Sequence, residues 1–290
     1  MSTPIPSETI LEPYWEHGID CACLQIRSPV SGLPGRERQR RVFVMVQVVI
    51  DDSNRGQEDA PAFILAGWMA PVNNWARFRE AWDTELKKEP SISLLKSNEA
   101  LNFRNNFGGY TETERDDRLL GFVNVINQTA FASVRLALVK SEFHRILKAS
   151  KGSLQKMYAL PTAAIVTRTL YFAFERKMRQ TVEFIFDTGI MTPNQLAQME
   201  REAREGLPSK AARKLKRFRH DTDDKFYPLQ AADLFVGYVR EDLIAKAEGH
   251  EFQSRVWTAL NKKPCVEVDL SKESLEDLRR RMERTYGPPA

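Results

Sequence analysis

The spacing of apolar residues along the chain predicts a set of short strands. The segment from Val42 to Ile50 is rich in β-branched residues and almost continuously apolar, which is typical of a strand buried on both faces. Ala62 to Met69 follows after a polar turn, so these two strands are expected to form a hairpin. Phe131 to Val139 alternates as a third strand, and Thr181 to Phe186 is a short fourth strand.

Helical periodicity fills the intervals between these strands. A helix after Pro71 has an apolar face of large residues, namely Trp75, Phe78, Trp82 and Leu86. Further helices are predicted over Thr113 to Asn127, Met157 to Met178, Pro193 to Glu205, from Pro228 onward, over Phe252 to Leu260 and around Leu275 to Met282, with a possible edge strand over Cys265 to Leu270. Strands that alternate with helices indicate an α/β protein, in which a mixed sheet carries helices on both faces.

The sequence divides into three regions. Residues 1–41 contain several prolines and end in a run of arginines, so we expect an irregular N-terminal extension. Residues 42–247 hold the four predicted strands and form the main domain. Residues 248–290 are predicted to be a C-terminal extension that packs on the core of this domain.

Composition narrows the class of protein. The 290 residues are 42% hydrophobic and 28% charged, which excludes disorder as the main state. The 43 basic and 39 acidic residues give a net charge of +4, too small a surplus to indicate a polyanionic partner by itself. The sequence has no apolar run long enough to span a membrane, no signal peptide and only three cysteines, so we expect a cytoplasmic protein without a membrane partner.

Three acidic residues stand at the ends of apolar segments or inside one. Asp51 follows the first predicted strand, Asp187 follows the fourth, and Asp233 interrupts an apolar helical run. If the first and fourth strands are parallel neighbours, Asp51 and Asp187 lie side by side at the carboxyl edge of the sheet, where sites form in open α/β proteins. Clustered carboxylates repel one another, and Mg²⁺ or Mn²⁺ is the usual compensating ion. The pattern favours phosphoryl-transfer chemistry.

Simpler interpretations of these acids remain open at this point. Asp51 could be an ordinary turn residue, with Ser53 completing the turn. Asp233 could form an ion pair with Arg240 or Lys225. Such pairing would not explain why three acids are associated with apolar segments.

A basic cluster precedes the helix that carries Asp233. It consists of Arg213, Lys214, Lys216, Arg217 and Arg219. One interpretation is a solvated helix face, neutralised by the aspartates that follow it. The other is a surface that holds the phosphate backbone of a nucleic acid. The presence of the candidate acids favours the second interpretation.

Four motifs together resemble the bacterial and phage family called domain of unknown function 3800. They are Asp51-Asp52-Ser53, Ala66-Gly67-Trp68 in the second strand, Asp187, and Gln230-Ala231-Ala232-Asp233-Leu234. Each motif is weak alone, and their order and spacing carry the similarity over roughly residues 42–245. The resemblance implies a ribonuclease-H-like fold, with residues 42–247 as its catalytic domain.

The resemblance also implies a metal-dependent nuclease. Asp51, Asp187 and Asp233 would be the metal ligands, and Glu99 is the candidate for a fourth acid. Two Mg²⁺ or Mn²⁺ ions would then promote hydrolysis of a phosphodiester bond in DNA or RNA.

Four supporting positions accompany these ligands. Asp52 and Ser53 follow the first ligand, although Asp52 and Asn54 stand where the family has its usual acid and glycine around the serine. Gln230 would orient Asp233 or contact a phosphate, and Lys225 would neutralise charge on the scissile phosphate.

Two other functions remain as alternatives to a nuclease. One is a non-catalytic module that binds nucleic acid or protein on the same fold. The other is a phosphohydrolase that acts on small nucleotides. The motifs of serine hydrolases, P-loop NTPases, dinucleotide-binding enzymes and zinc proteases do not occur in the sequence.

Overall fold

A mixed sheet forms the middle layer of the protein. The computed structural model describes residues 45–53, 62–147, 154–270 and residue 276, all within one compact unit that covers Phe43–Ala290. The strands in these ranges are β1 (Met45–Ser53), β2 (Ala62–Pro71), β3 (Ala132–Val139), β4 (Thr181–Asp187), β5 (Leu215–Asp221) and β6 (Cys265–Asp269). The predicted N-terminal extension and the last predicted helix lie outside the described residues, apart from Glu276.

The order of the strands in the sheet is β5-β4-β1-β2-β3-β6. β1, β2 and β3 form an antiparallel meander, as the apolar pattern predicts for the first hairpin. β4 lies parallel to β1 on its other side, and β5 lies parallel to β4. β1, β4 and β5 therefore all end at the same edge of the sheet, which we call the carboxyl edge.

Helices cover both faces of the sheet. They are α1 (Val72–Lys87), α2 (Ser97–Leu101), α3 (Glu112–Thr129), α4 (Lys140–Leu147), α5 (Leu154–Glu175), α6 (Pro193–Gly206), α7 (Ser209–Ala212), α8 (Pro228–Ala247) and α9 (Arg255–Leu260). Residues of α1, α2, α3, α8 and α9 share one apolar core with one face of the sheet. Residues of α4 to α7 share a second core with the other face. The expectation of an α/β fold with helices on both faces is confirmed.

Within the described ranges, no helix has both the length and the apolar composition that a membrane span needs. The longest helix, α5, has a polar interruption at Arg168, which pairs with Glu175 at 3.1 Å.

One predicted segment has a different structure. The residues of the basic cluster from Leu215 onward form the outer strand β5, and the interpretation of this cluster as a helix face is wrong. Charged residues at Lys216, Arg217 and Arg219 hide the alternation of a strand, in which only Leu215 and Phe218 are buried apolar residues. Outer strands tolerate such polar sequences because one of their edges has no neighbouring strand.

The first strand also extends further than its apolar residues. β1 continues through Asp51 and Asp52 to Ser53, and these residues pair with β2. The backbone hydrogen bonds with β2 explain why the strand does not end where the sequence becomes polar.

Gly67 allows β1 and β2 to approach each other closely. A Cβ atom built at this position would lie 1.7 Å from the carbonyl oxygen of Val49. That oxygen belongs to the backbone of the central strand, so it cannot move without breaking the pairing of β1. Only glycine fits at this position.

We therefore expect Gly67→Ala to destabilise the protein by about 3 kcal/mol, the cost of forcing an extra carbon into a packed region. The matched control is Gly121→Ala in α3, where the added Cβ would meet only the flexible carboxylate of Glu85. This control should be neutral or slightly stabilising, because alanine favours helix over glycine. Urea denaturation of both variants provides the measurement. Equal stabilities would contradict the argument.

Candidate functional site

Three aspartates form a row across the carboxyl edge of the sheet. Ile50 is opposite Phe186 in the register of β1 and β4, which places Asp51 beside Asp187. Asp187 is in turn opposite Asp221 of β5. Neighbouring strands are about 4.8 Å apart, so three carboxylates occupy adjacent positions. The first and fourth predicted strands are parallel neighbours, which is the condition for Asp51 and Asp187 to lie side by side.

The row faces the helix that carries the fourth aspartate. Side chains alternate between the faces of a strand, so Asp51 shares its face with Val49, and Asp187 shares its face with Ile185. Val49 and Ile185 belong to the apolar core that includes α8. Asp233 lies in the second turn of α8. The three acids predicted from the sequence therefore lie on the same side of the sheet.

Two hydrogen bonds hold the carboxylate of Asp233. The backbone N–H of Ser97 donates to Oδ2 at 2.7 Å, and the hydroxyl of Ser97 donates to Oδ1 at 2.8 Å. Gly237 makes this contact possible, because a Cβ there would lie 2.8 Å from the Cβ of Ser97. α2 and α8 thus touch closely, and the contact fixes the orientation of Asp233.

Lys96 brings a positive charge to the same place. Its ammonium group forms an ion pair with Asp223, which lies in the loop between β5 and α8. Burial would lower the pKa of Lys96, but the hydrogen bond to Asp223 and the charges of Asp223, Asp233 and Asp51 outweigh it and raise the pKa above its usual value. The lysine therefore stays protonated and partly neutralises the acids.

Gln230 joins the segments that surround Asp233. Its Oε1 accepts hydrogen bonds from the indole N–H of Trp82 at 2.9 Å and from the backbone N–H of Leu95 at 3.2 Å. Its Nε2 donates to the carbonyl oxygen of Asp223 at 2.9 Å. Because the Gln230 side chain is completely buried, it acts on the site through the segments that it holds and not by contact with a substrate phosphate.

The acids repel one another in the folded chain. Burial, followed by the charges of Asp233, Asp187 and Asp52, raises the pKa of Asp51 well above its usual value, and the backbone N–H of Asp52 opposes this shift. Burial also raises the pKa of Asp233, against the hydrogen bonds from Ser97 and the charge of Lys96. A cluster with two such carboxyl groups is a site where additional positive charge binds favourably.

The donor atoms suit a hard divalent cation, although the side chains are not arranged as a formed metal site. In the part of the chain that the structure describes, no group of three His, Cys, Asp or Glu side chains is placed to hold a metal ion. Ser97 engages both oxygens of Asp233, and the N–H of Gly189 donates to Oδ2 of Asp187 at 2.9 Å. Metal binding would require these carboxylates to turn toward one another.

The other predicted residues have the following positions. Asp52 and Ser53 are half-buried at the end of β1. Glu99 lies in α2, and its carboxylate accepts hydrogen bonds from the side-chain amides of Asn105 and Asn106 at 2.8 and 3.2 Å. Lys225 is exposed to solvent. Lys96, and not Lys225, forms an ion pair and electrostatic contacts with the acids.

The basic cluster separates into two groups. Arg217 and Arg219 lie on the α8 side of β5 and pair with Glu183, which is completely buried and also accepts a hydrogen bond from Gln47 at 2.7 Å. Arg219 pairs in addition with Asp221. Arg213, Lys214 and Lys216 lie at the beginning of β5, away from the carboxyl edge.

Sequence reasoning missed four residues of this site, namely Lys96, Ser97, Asp221 and Asp223. Asp221 follows the same rule as Asp51 and Asp187, since it is the last residue of a parallel strand. Recognition of β5 as a strand would have identified it. Lys96, Ser97 and Asp223 lie outside long periodic segments, and no sequence signal connects them with Asp233.

Comparison of the sequence with protein-family models and with curated proteins gives no match.

We expect Asp51→Asn to stabilise the metal-free protein by about 1 kcal/mol near neutral pH. A raised pKa in the folded chain means that folding favours the protonated carboxyl group. The protonated carboxyl group contributes fully to the stability of the fold below the pKa of the unfolded chain, which is about 4. This stability is lost as the pH rises through the pKa of Asp51 in the folded chain. The uncharged amide avoids this loss, so the stabilisation should be larger near neutral pH than near pH 4.

Urea denaturation in EDTA at both pH values measures this difference. The control is Asp117→Asn, since the Asp117 side chain is 59% exposed and pairs only at the surface with Arg255. A destabilised Asp51→Asn protein at neutral pH would contradict a raised pKa of Asp51 in the folded chain.

Proposed function

We propose that this protein is a divalent-metal-dependent nuclease with a ribonuclease-H-like fold. The observation that carries the proposal is the row of Asp51, Asp187 and Asp221 at the carboxyl edge, with Asp233 facing it from α8. The phosphodiester bonds of DNA or RNA are the substrate that such a cluster suits when Mg²⁺ or Mn²⁺ is present.

The order of the strands supports the same proposal. An antiparallel meander of β1, β2 and β3, extended beyond β1 by the parallel strands β4 and β5, is compatible with the ribonuclease-H-like fold. Open sheets bind ligands outside the carboxyl ends of their parallel strands, which is where these acids lie. The four motifs that resemble domain of unknown function 3800 supply Asp51, Asp187 and Asp233 in this arrangement.

Each residue of the site has its own role in the proposed hydrolysis. Asp51, Asp187 and Asp233 would hold the metal, with Glu99 as the proposed fourth acid. Bound divalent ions make water more acidic and stabilise the negative charge of the leaving oxygen. Ser97 orients Asp233, and Gln230 holds the backbone of Leu95 next to it. The Lys96 ammonium is placed to attract the anionic substrate toward the acids.

We expect Asp51→Asn and Asp233→Asn each to lower metal-dependent cleavage by at least about 100-fold, because loss of a ligand costs at least as much as loss of a group that only supports one. Labelled single-stranded and double-stranded DNA and RNA are incubated with and without Mg²⁺ or Mn²⁺, and the products are separated on denaturing gels. Asp117→Asn is the matched control and should retain full activity.

The same assay separates the alternative functions. Equal cleavage by all variants would end the assignment of these aspartates. Binding of nucleic acid without cleavage under any metal would indicate a non-catalytic module, and release of phosphate from free nucleotides alone would indicate a phosphohydrolase.

Lys96 and Lys225 are expected to contribute differently to cleavage. Lys96→Met should lower kcat/KM by about 100-fold, the usual cost of removing one group that stabilises charge in a site. Lys225→Met should change it by less than about threefold, since this side chain is exposed and its charge is screened by solvent. Steady-state kinetics with a labelled oligonucleotide give both values. A larger loss in Lys225→Met would favour the role for Lys225 that the sequence suggests.

A further inference from the structure

An open pocket lies at the other edge of the sheet, where β4 and β5 begin. It has a volume of about 670 Å³, and the end of α5, the turn into β4 and the segment from α7 to β5 form its walls. We call it the amino-edge pocket and define it by Phe174, Lys177, Arg179, Lys210, Arg213 and Lys214. Only the folded chain brings these residues together, since they come from two segments more than thirty positions apart.

The pocket has a strong excess of positive charge. Lys177, Arg179, Lys210 and Arg213 are exposed, and none of them belongs to the ion pairs found among the described residues. The Lys214 ammonium donates to the carbonyl oxygen of Met178 and adds a fifth charge. Glu175 is the acid in the lining, and Arg168 neutralises it at 3.1 Å. A surface of this kind attracts phosphate groups.

An exposed aromatic ring lies next to these charges. Phe174 lines the pocket and is 45% exposed, and Tyr171, one helical turn earlier in α5, is 36% exposed. The ring of Phe174 is therefore accessible from the pocket. Basic side chains beside an accessible ring are the combination that holds single strands, because an unpaired base can stack on the ring while its phosphates meet the cations.

The pocket is separate from the acidic site. β4 begins at Thr181 in the pocket wall and ends at Asp187, and this length of strand covers about 20 Å. A ligand in the pocket therefore does not touch the aspartates.

We propose that the amino-edge pocket binds single-stranded nucleic acid, with phosphates at Lys177, Arg179, Lys210 and Arg213 and a base stacked on Phe174. A duplex keeps its bases stacked on one another and cannot offer one to the ring. The pocket thus prefers single strands over duplexes. The proposal goes beyond cleavage, because binding here needs neither a metal nor the acids.

The test is fluorescence anisotropy of a labelled oligothymidylate with the full chain in EDTA, over a series of salt concentrations. The wild type should bind the oligothymidylate more tightly than a duplex of equal length. The double variant Arg179→Ala/Arg213→Ala should bind more weakly than the wild type. The slope of its plot of log K against log salt concentration should be shallower by about 0.7 for each phosphate that the variant no longer neutralises. The control Lys262→Ala/Lys263→Ala removes the same charge elsewhere and should match the wild type.

The stacking interaction has its own test. Phe174→Ala should weaken binding by at least about fivefold without changing the salt dependence, since it removes stacking and no charge. Phe174→Trp should restore binding, which separates stacking from a structural role for this position. Ile244→Ala removes a side chain that is 39% exposed on another helix and serves as the control.

Several results would overturn the proposal. They are equal affinity for single strands and duplexes, unchanged binding in the double variant, or binding of anionic lipid vesicles with no binding of the oligothymidylate. Asp51→Asn should bind like the wild type. If the pocket variants lose binding but still cleave short substrates, the nuclease proposal is unaffected. If Asp51→Asn loses cleavage but still binds the oligothymidylate, the pocket proposal is unaffected.

Discussion

Half-buried carboxylates lie close together at the carboxyl edge of the sheet, and the residues around them offset the cost of removing these charges from water and the repulsion between them. The parallel pairing of β1 with β4 puts Asp51 beside Asp187, and α8 adds Asp233 from above the sheet. Moving clustered carboxylates from water into the less polar protein costs free energy unless hydrogen-bond donors or cations compensate their charge. The folded chain offsets this cost with two hydrogen bonds from Ser97 to Asp233 and with the ammonium of Lys96. Burial, followed by the charges of Asp233, Asp187 and Asp52, still raises the pKa of Asp51.

The compensating groups are themselves held by a chain of close contacts. Gln230 is completely buried and uses both polar atoms of its amide to join α1, the segment before α2 and the loop after β5. Gly237 lets α2 approach α8, which brings Ser97 within reach of Asp233. One helix, α8, therefore supplies both an acid and the residues that position its partners. Because α8 makes both the Gln230 and the Gly237 contacts, a change in packing at one of them affects the other. The stability of this helix and the geometry of the acidic site are therefore coupled.

The sheet has opposite charges at its two edges. Acids lie where β1, β4 and β5 end, and cations lie where β4 and β5 begin. Between them, the buried Glu183 neutralises Arg217 and Arg219, which prevents a continuous basic surface along β5. A polynucleotide held at the amino edge would have to extend about 20 Å to reach the acids. The near-neutral net charge of the chain conceals this separation.

The class of fold and three of the acids can be predicted from the sequence. Long apolar strands and helical stripes identify β1, β2, β4 and α8 because burial imposes its periodicity on the residues, and Asp51, Asp187 and Asp233 stand out as charges within or beside those runs. Only the folded chain shows that β5 is a strand, that Asp221 lies in the row of acids, and that Lys96 and Ser97 reach them. Outer strands and short connecting segments bury little apolar surface, so they show no periodic apolar pattern in the sequence. Their positions are set by contacts with residues that are distant in the sequence.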